Sequence, residues 1–398
     1  MASSLSQKKD FFSYLAQTSP APLSLEIANA KGILLKDTNG KKYIDLISGI
    51  AVSNLGHGHP SVVKAIKQQA DKYTHIMVYG EFVQSTQVDF AKKICQKLPK
   101  NLNSVYFVNS GSEAVEGALK LAKRYTGRTG IVSFKNAYHG STHGALSVMG
   151  DEVLKEPFRP LLPDVSILPY GNKEALQCIT RRTACVIIEP IQGEAGVVVP
   201  SKSFLQALRK RCNETGTLLI FDEIQCGFGR TGKLFAFEHF GVTPDILAIG
   251  KAMGGGLPLG AFVANQKIMS SLSDNPALGH ITTFGGHPLS CAAGLAAFEV
   301  LLNKKYYTAA TKKEKLFRSL LKDKTIKEIR GMGLMLSVQF KSEEFCKKVI
   351  ENCIKNGIIV DWFLFRPDAM RIAPPLIITE KEIKKACKII LLSIKQSL

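Results

Sequence analysis

Apolar residues in this chain gather into short unbroken runs that close on polar or acidic residues. Residues 105–108, 130–134, 183–188, 217–221 and 246–249 are runs of this kind, with stretches of helical periodicity between several of them. Strands covered on both faces are continuously apolar rather than alternating, so these runs predict buried strands. Strands separated by helices predict a mostly parallel sheet that binds ligands at the carboxyl ends of its strands. Helices are expected from Ser61, after Ser112, over about 202–214 and over 291–302. Nearer the start, 32–46 alternates around Asn39-Gly40, which predicts a β-hairpin, and residues 1–30 read as a helix and a connector. Beyond 303 the chain turns lysine-rich and amphipathic, with strands expected at 333–340 and 357–360. The expected organisation is α/β. A large domain over 59–302 carries the sheet, and a smaller α+β domain is built from both termini, 1–58 and 303–398. No internal repeat or low-complexity segment interrupts it.

Composition narrows the class. The chain has 398 residues, 45% hydrophobic and 21% charged, enough for one large domain and a smaller one. No apolar run approaches a membrane span, and residues 1–12 lack the apolar core of an export signal. Nine cysteines without a Cys-x-x-Cys pair argue against a zinc site or a disulfide framework, so a reducing, cytoplasmic location is expected. A net charge of +19 raises nucleic acid as a partner. However, the lysine pairs at 41–42, 92–93, 304–305, 312–313 and 347–348 are scattered, and no basic tract is interleaved with aromatics. Neither nucleic acid nor membrane is the expected partner; small anionic substrates are.

The candidate chemistry sits where strands end. Ile246–Ile249 delivers Lys251 into a loop containing Gly254, Gly255 and Gly256. Burial disfavours the charged form of a lysine, and a neutral amine can form a Schiff base with an aldehyde. The plainer reading is a solvated loop lysine. Ser110-Gly111-Ser112 opens a helix, where free N–H groups cradle a phosphate or where a serine merely caps. Tyr138 and His139 follow another strand, where an aromatic ring can cover a planar cofactor. Two further strands lead to Glu189 and Glu194, and to Asp222, Glu223 and Gln225.

Several motifs are set aside. Gly227-Phe-Gly-Arg-Thr-Gly232 fits G-x-G-x-x-G, but Asp222-Glu-Ile-Gln-Cys intervenes after the strand. Read as a phosphate loop ending in Lys233, it has Leu234 where a magnesium-binding hydroxyl is needed. His57 with His59, and His139 with His143, lack the companions of a zinc site, so no metal is expected.

Taken in order, Ser110-Gly-Ser-Glu-Ala, Tyr138-His-Gly, Ile188-Glu-Pro-Ile-Gln-Gly-Glu194, Phe221-Asp-Glu-Ile-Gln225-Cys-Gly-Phe-Gly-Arg-Thr-Gly-Lys233, Gly250-Lys251 and Thr283-Phe-Gly-Gly form a set. It resembles the class III (ω-amino-acid) aminotransferases, pyridoxal-phosphate enzymes of fold type I that include acetylornithine, ornithine and 4-aminobutyrate aminotransferases. The resemblance runs from the hairpin near Gly40 to Arg371.

It implies that Lys251 holds pyridoxal 5'-phosphate as a Schiff base (an aldimine) and shuttles a proton, and that Asp222 faces the pyridine nitrogen. It further implies Gln225 at the ring's 3'-oxygen, Tyr138 stacked on the ring, and Ser110, Gly111 and Ser112 at the phosphate. His139 and Glu189 are expected among the cofactor contacts. Thr283 is expected to reach the phosphate of a neighbouring subunit, hence a homodimer with shared sites. Arg371 would clamp an α-carboxylate, and Glu194 resembles the switch carboxylate that covers a site arginine when the other substrate is an ω-amine.

The implied reaction moves an amino group from an amino acid or ω-amino donor, of the ornithine, acetylornithine or 4-aminobutyrate kind, to a 2-oxo acid, with 2-oxoglutarate the expected acceptor, in two half-reactions through a Lys251 aldimine. The alternative is an aminomutase or decarboxylase on the same scaffold. A basic binding protein on an inactive fold is a third reading, against which Lys251, Asp222 and Gln225 together speak. Two positions depart from the pattern. Ser141 stands where many relatives carry the arginine that grips the donor's distal carboxylate, and Val115 replaces a common asparagine.

Overall fold

The five apolar runs pair into a seven-stranded sheet together with two strands the sequence did not single out, Gly260–Ala264 and Val165–Leu168. Its spatial order is Ser104–Val108, Gly260–Ala264, Ile246–Ile249, Leu218–Asp222, Thr183–Ile188, Gly130–Phe134 and Val165–Leu168. The computed structural model describes the backbone from residue 3 and the side chains from residue 7. Met1 and Ala2, which open the segment lacking an export-type core, lie outside the described residues. The strands from Ile246–Ile249 to Val165–Leu168 pair in parallel, and Gly260–Ala264 runs antiparallel to both its neighbours. The exception has a physical cause. A parallel return needs a crossover of a dozen or more residues. The glycine-rich turn after Ile249 is too short for one, so the chain doubles back. Four of the strands are buried at every position, which accounts for their continuous apolar sequences.

The helix Gly111–Thr126 follows the first of these strands. Ser110 caps it by accepting from Glu113 N, and Gly127 ends it in the left-handed conformation. Its buried face runs through Ala114, Val115, Ala118, Leu119 and Ala122. Gly117 lets it lie close to the sheet, because a Cβ there would meet the Phe262 ring at 2.2 Å. The connectivity therefore places the amino end of this helix at the carboxyl edge of the sheet, beside the ends of strands Leu218–Asp222 and Ile246–Ile249.

Both ends of the chain build the smaller α+β part. The hairpin of Leu34–Asp37 and Lys42–Asp45 forms as its sequence predicts, with Asp37 Oδ1 accepting from Asn39 N and Lys41 N in the turn. Ile358–Ile359 adds to it in parallel, Ile358 opposite Ile44, so the carboxyl-terminal segment completes a sheet begun by the amino-terminal one. A second sheet runs Glu328–Met332, Met335–Gln339, Arg366–Ile372 and Trp362–Phe363. Strand Ile27–Lys31 lies within the stretch expected to be a connector. Four of its five positions are exposed, which leaves no apolar signal to read.

The glycine-rich segment 227–232 is a series of turns that leads to the single 3-10 turn Ala236–His239, not to a helix that could cradle a phosphate. Its Arg230 is fully buried and donates to the carbonyls of Leu334 and Pro374 and to Asn54 Oδ1, joining three distant segments. His57 binds Asp45 at 2.8 Å, and His59 caps the helix Pro60–Lys72.

Candidate active site

Five strands end around one cavity of about 190 Å³, and the turns after them supply its walls. Ser110, Gly111 and Ser112 line one side, Tyr138 and His139 another, and Glu189, Glu194, Asp222, Gln225 and Lys251 complete it. A larger hollow of about 280 Å³ lies against Leu55, Val62, Phe228 and Leu257. That hollow lacks convergent carboxylates and a lysine, so the chemistry belongs to the smaller cavity.

Lys251 adopts φ +47°, a left-handed conformation that costs energy in any residue with a Cβ and that clusters at functional sites. Burial lowers its pKa, and Arg371 adds to this, while Glu194, Asp222 and Glu189 pull the other way. The neutral, nucleophilic amine is correspondingly favoured.

Asp222 ends its strand with both carboxylate oxygens held. Oδ2 lies 2.7 Å from His139 Nδ1, and Oδ1 accepts from Ile224 N at 3.0 Å. His139 Nε2 is buried without a partner. Glu189 accepts from Tyr138 N and Gly193 N, so it ties together the two loops that carry Tyr138 and Glu194. Burial pushes its pKa up to about 7. Tyr138 Oη and Ser141 Oγ are 3.2 Å apart.

Opposite these groups lies an ion-pair unit. Arg371 Nη1 and Nη2 each donate to Glu194, at 2.9 Å, and Nε donates to Asp361 Oδ1 at 3.0 Å. Burial alone would raise the Glu194 pKa, but Arg371 draws it down to about 2. Asp361 is raised to about 6 by burial, against the pull of Arg371. Gln225 Nε2 donates to Glu194 Oε1 at 3.1 Å, so part of the amide expected at a cofactor oxygen is engaged with this carboxylate.

Of the residues singled out in the sequence, the structure gathers Ser110, Gly111, Ser112, Tyr138, His139, Glu189, Glu194, Asp222, Gln225 and Lys251 at the cavity, and it ties Arg371 to that cavity through Glu194. Thr283 is exposed and does not line it. Sequence reasoning passed over Asp361, Ile224 and Phe363. Asp361 follows a short apolar strand, much as Asp222 ends one, which was a usable signal. Nothing linear ties Phe363 to Arg371, whose guanidinium carbon lies 4.5 Å from the ring centre.

The cavity fits a phosphorylated pyridine aldehyde. A Cβ on Gly140 would lie 2.2 Å from Ser112 Oγ, and one on Gly111 would lie 2.9 Å from Ile224, so side-chain-free backbone shapes the cradle at the helix start. An acidic group and a lysine face the same space.

Comparison with known proteins agrees. The family model for aminotransferase class-III matches residues 14–394. The chain is 42% identical to the acetylornithine aminotransferase of Methanopyrus kandleri over 361 residues, 89% of this chain and 90% of that one. It is 38% identical to the mitochondrial acetylornithine aminotransferase of Alnus glutinosa over 387 residues, 93% of this chain and 84% of that one. The fold superposes on ornithine aminotransferase from Toxoplasma gondii with a TM-score of 0.90 at 32% identity, covering 98% and 94% of the two chains.

Fold and site thus define a pyridoxal-phosphate-dependent transferase of fold type I. Within that class, the chain belongs to the class-III aminotransferases. Among the described residues no helix is long and apolar enough to cross a membrane, and all nine cysteines are free.

Proposed function

We propose that this aminotransferase moves the amino group of an ornithine-, acetylornithine- or 4-aminobutyrate-like donor to a 2-oxo acid, 2-oxoglutarate above all, in two half-reactions. The observation that carries the reading is the bidentate Glu194–Arg371 pair beside Lys251. With Glu194 in place the arginine is neutralised and the site accepts an amine end. With Glu194 displaced, the same two nitrogens match a substrate α-carboxylate. The names of the relatives at 37–42% identity favour an acetylornithine-like donor. Ser141 supplies no cation for a distal carboxylate, so the donor's far end is gripped differently from those enzymes that carry arginine there.

Pyridoxal phosphate, when bound, supplies the aldehyde that accepts the amino group and the ring that takes up electrons from the breaking C–H bond. Lys251 would hold it and carry the proton on Nζ. Asp222, oriented by His139, would keep the ring nitrogen protonated. Ser110, Gly111 and Ser112 would take the phosphate, Tyr138 would cover the ring, and Gln225 would meet its oxygen. Glu189 would fix the loops around them. Thr283, exposed on its own chain, would serve a neighbouring subunit's site in a homodimer. Division at 58/59 and 302/303 into a large and a small domain belongs to the same reading. The free cysteines favour a reducing, cytoplasmic setting.

The test is a donor screen. Ornithine, acetylornithine, lysine, 4-aminobutyrate and simple amines are each supplied with 2-oxoglutarate, and glutamate is measured. One donor giving glutamate in equal amount to the donor consumed is the expected result. Carbon dioxide release, or donor isomerisation without loss of the oxo acid, would replace this reading with a decarboxylase or a mutase.

A further inference from the structure

The guanidinium of Arg371 is gripped by two carboxylates and an aromatic face, with a longer bond of 3.4 Å from Nη2 to the Trp362 carbonyl beside them. Its two terminal nitrogens reach Glu194, its Nε reaches Asp361 Oδ1 at 3.0 Å, and its face lies 4.5 Å from the centre of the Phe363 ring. These grips differ in what anchors them. Glu194 stands on the irregular segment between Gln192 and Val198, outside any strand. Besides Arg371, its carboxylate is held by Gln225 Nε2 at 3.1 Å and Leu364 N at 3.3 Å. Asp361 begins the hairpin whose other strand bears Arg371, and its carbonyl accepts Arg371 N at 2.8 Å. Asp361 and Arg371 are therefore fixed to each other by backbone as well as side chain, whereas Glu194 is tied by backbone to the hairpin turn, its carbonyl accepting from Phe365 N at 3.1 Å, and meets Arg371 through its side chain alone, which a rotation can withdraw.

We propose that Asp361 is a positioning residue for the substrate's α-carboxylate. By holding Nε, it keeps the terminal nitrogens of Arg371 aimed into the site when Glu194 gives way. The inference rests on the reading above, in which Arg371 receives that carboxylate. Its physical basis is the geometry of arginine, a rigid planar fork with five donors. Occupying Nε fixes the plane and leaves one edge for a two-pronged partner. Asp361 also leaves Arg371 with a counter-charge in the interval when neither Glu194 nor substrate is present. Arg371 is only 4% exposed, so a bare guanidinium there would be costly. Once Glu194 has moved, the side chain of Asp361 is the remaining carboxylate on this guanidinium.

The prediction is asymmetric. In the half-reaction where Glu194 stays on Arg371, the arginine is held twice and Asp361 is redundant. In the half-reaction with the 2-oxo acid, Asp361 is the remaining ionic hold. Holoenzyme variants Asp361→Ala and Asp361→Asn are compared with Arg371→Lys. The readouts are KM for 2-oxoglutarate, KM for the amine donor, and equilibrium binding of the non-reacting dicarboxylate glutarate by calorimetry. Losing a hydrogen bond to a charged group in Asp361→Ala should weaken glutarate and raise the 2-oxoglutarate KM about tenfold or more. The donor KM should change less than about twofold, a difference too small to stand for a lost ionic contact. Asp361→Asn, which keeps an acceptor for Nε but not the counter-charge, should recover part of the loss. Asp361→Leu preserves bulk and carries the same expectation as alanine if Asp361→Ala does not fold. Unchanged glutarate binding in the alanine or leucine variant, or equal rises in both KM values, would overturn the proposal. If Arg371→Lys weakens glutarate and the Asp361 variants do not, only the role of Asp361 falls. If Arg371→Lys has no effect either, the carboxylate-clamp reading falls with it.

Discussion

His139 Nδ1 lies 2.7 Å from Asp222 Oδ2, and both side chains are buried at the floor of the cavity. The imidazole restrains the carboxylate while it also lines the cavity, one residue after the aromatic ring of Tyr138. A second hold on the same carboxylate, from Ile224 N, leaves it little rotational freedom. Charge fixed in this way needs no reorganisation when the reaction demands it.

Replacing Asp222 by alanine should cost about a hundredfold or more in kcat, the usual scale for deleting a fixed electrostatic group. His139→Ala should cost less, since Asp222 keeps its bond from Ile224. Steady-state kinetics on the loaded enzymes measure both, and equal losses would show that the imidazole does more than orient.

Lys251→Ala should remove the visible absorbance of the bound cofactor together with turnover. In the wild-type protein, recovery of that absorbance after stripping and re-adding pyridoxal phosphate should speed up with pH. Half-maximal rate should fall below the ordinary lysine range, because burial lowers the Lys251 pKa. A midpoint at or above that range would mean the amine is not desolvated.

Acid should destabilise the wild-type protein partly through Glu194. Its folded-state pKa is depressed, from 4.5 to about 2, chiefly because Arg371 outweighs burial. The stability it contributes is complete above pH 4.5 and is lost as pH falls towards 2. By linkage this amounts to about 3 kcal/mol. Denaturant titrations of wild type and Glu194→Gln across that window should show a shallower pH slope in the variant. Parallel slopes would remove the ion pair from the acid response.

Glu223 follows Asp222 in the chain but does not line the cavity. Fully buried, it accepts from Ala236 N at 2.7 Å and Phe237 N at 2.6 Å. Glutamine would turn an NH₂ towards one of those donors, so Glu223→Gln should destabilise the fold by about 1–3 kcal/mol in chemical denaturation. Retained stability would mean the loop re-pairs.

Gly140→Ala tests the cradle. The added Cβ would lie 2.2 Å from Ser112 Oγ, on a backbone at φ +127° that side chains rarely adopt. The thermal stabilisation that wild type shows on adding pyridoxal phosphate should be largely lost in the variant. An unchanged shift would place the phosphate elsewhere.

Much of this molecule was legible along the chain because the strands at the centre of its large sheet are short and four of them are wholly buried. Burial on both faces favours apolar residues, so these central strands, the polar residues at their ends and the lysine after Ile249 announce themselves without coordinates. The order of the strands was not legible. The sequence carries no mark that Gly260–Ala264 inserts between Ser104–Val108 and Ile246–Ile249, since pairing depends on which edges remain free once the helices have packed. Nor did exposed Ile27–Lys31 leave an apolar trace.

Residue types and chain order determined the class of chemistry: a desolvated lysine, an acid at a strand end and a glycine-lined helix start. Tertiary structure alone decided how the charges are shared. Glu194 and Arg371 lie far apart in the chain, yet meet through two bonds of 2.9 Å, and Asp361 takes the remaining side of the same guanidinium. Electrostatic partnership depends on distance and burial, and neither is written in linear spacing.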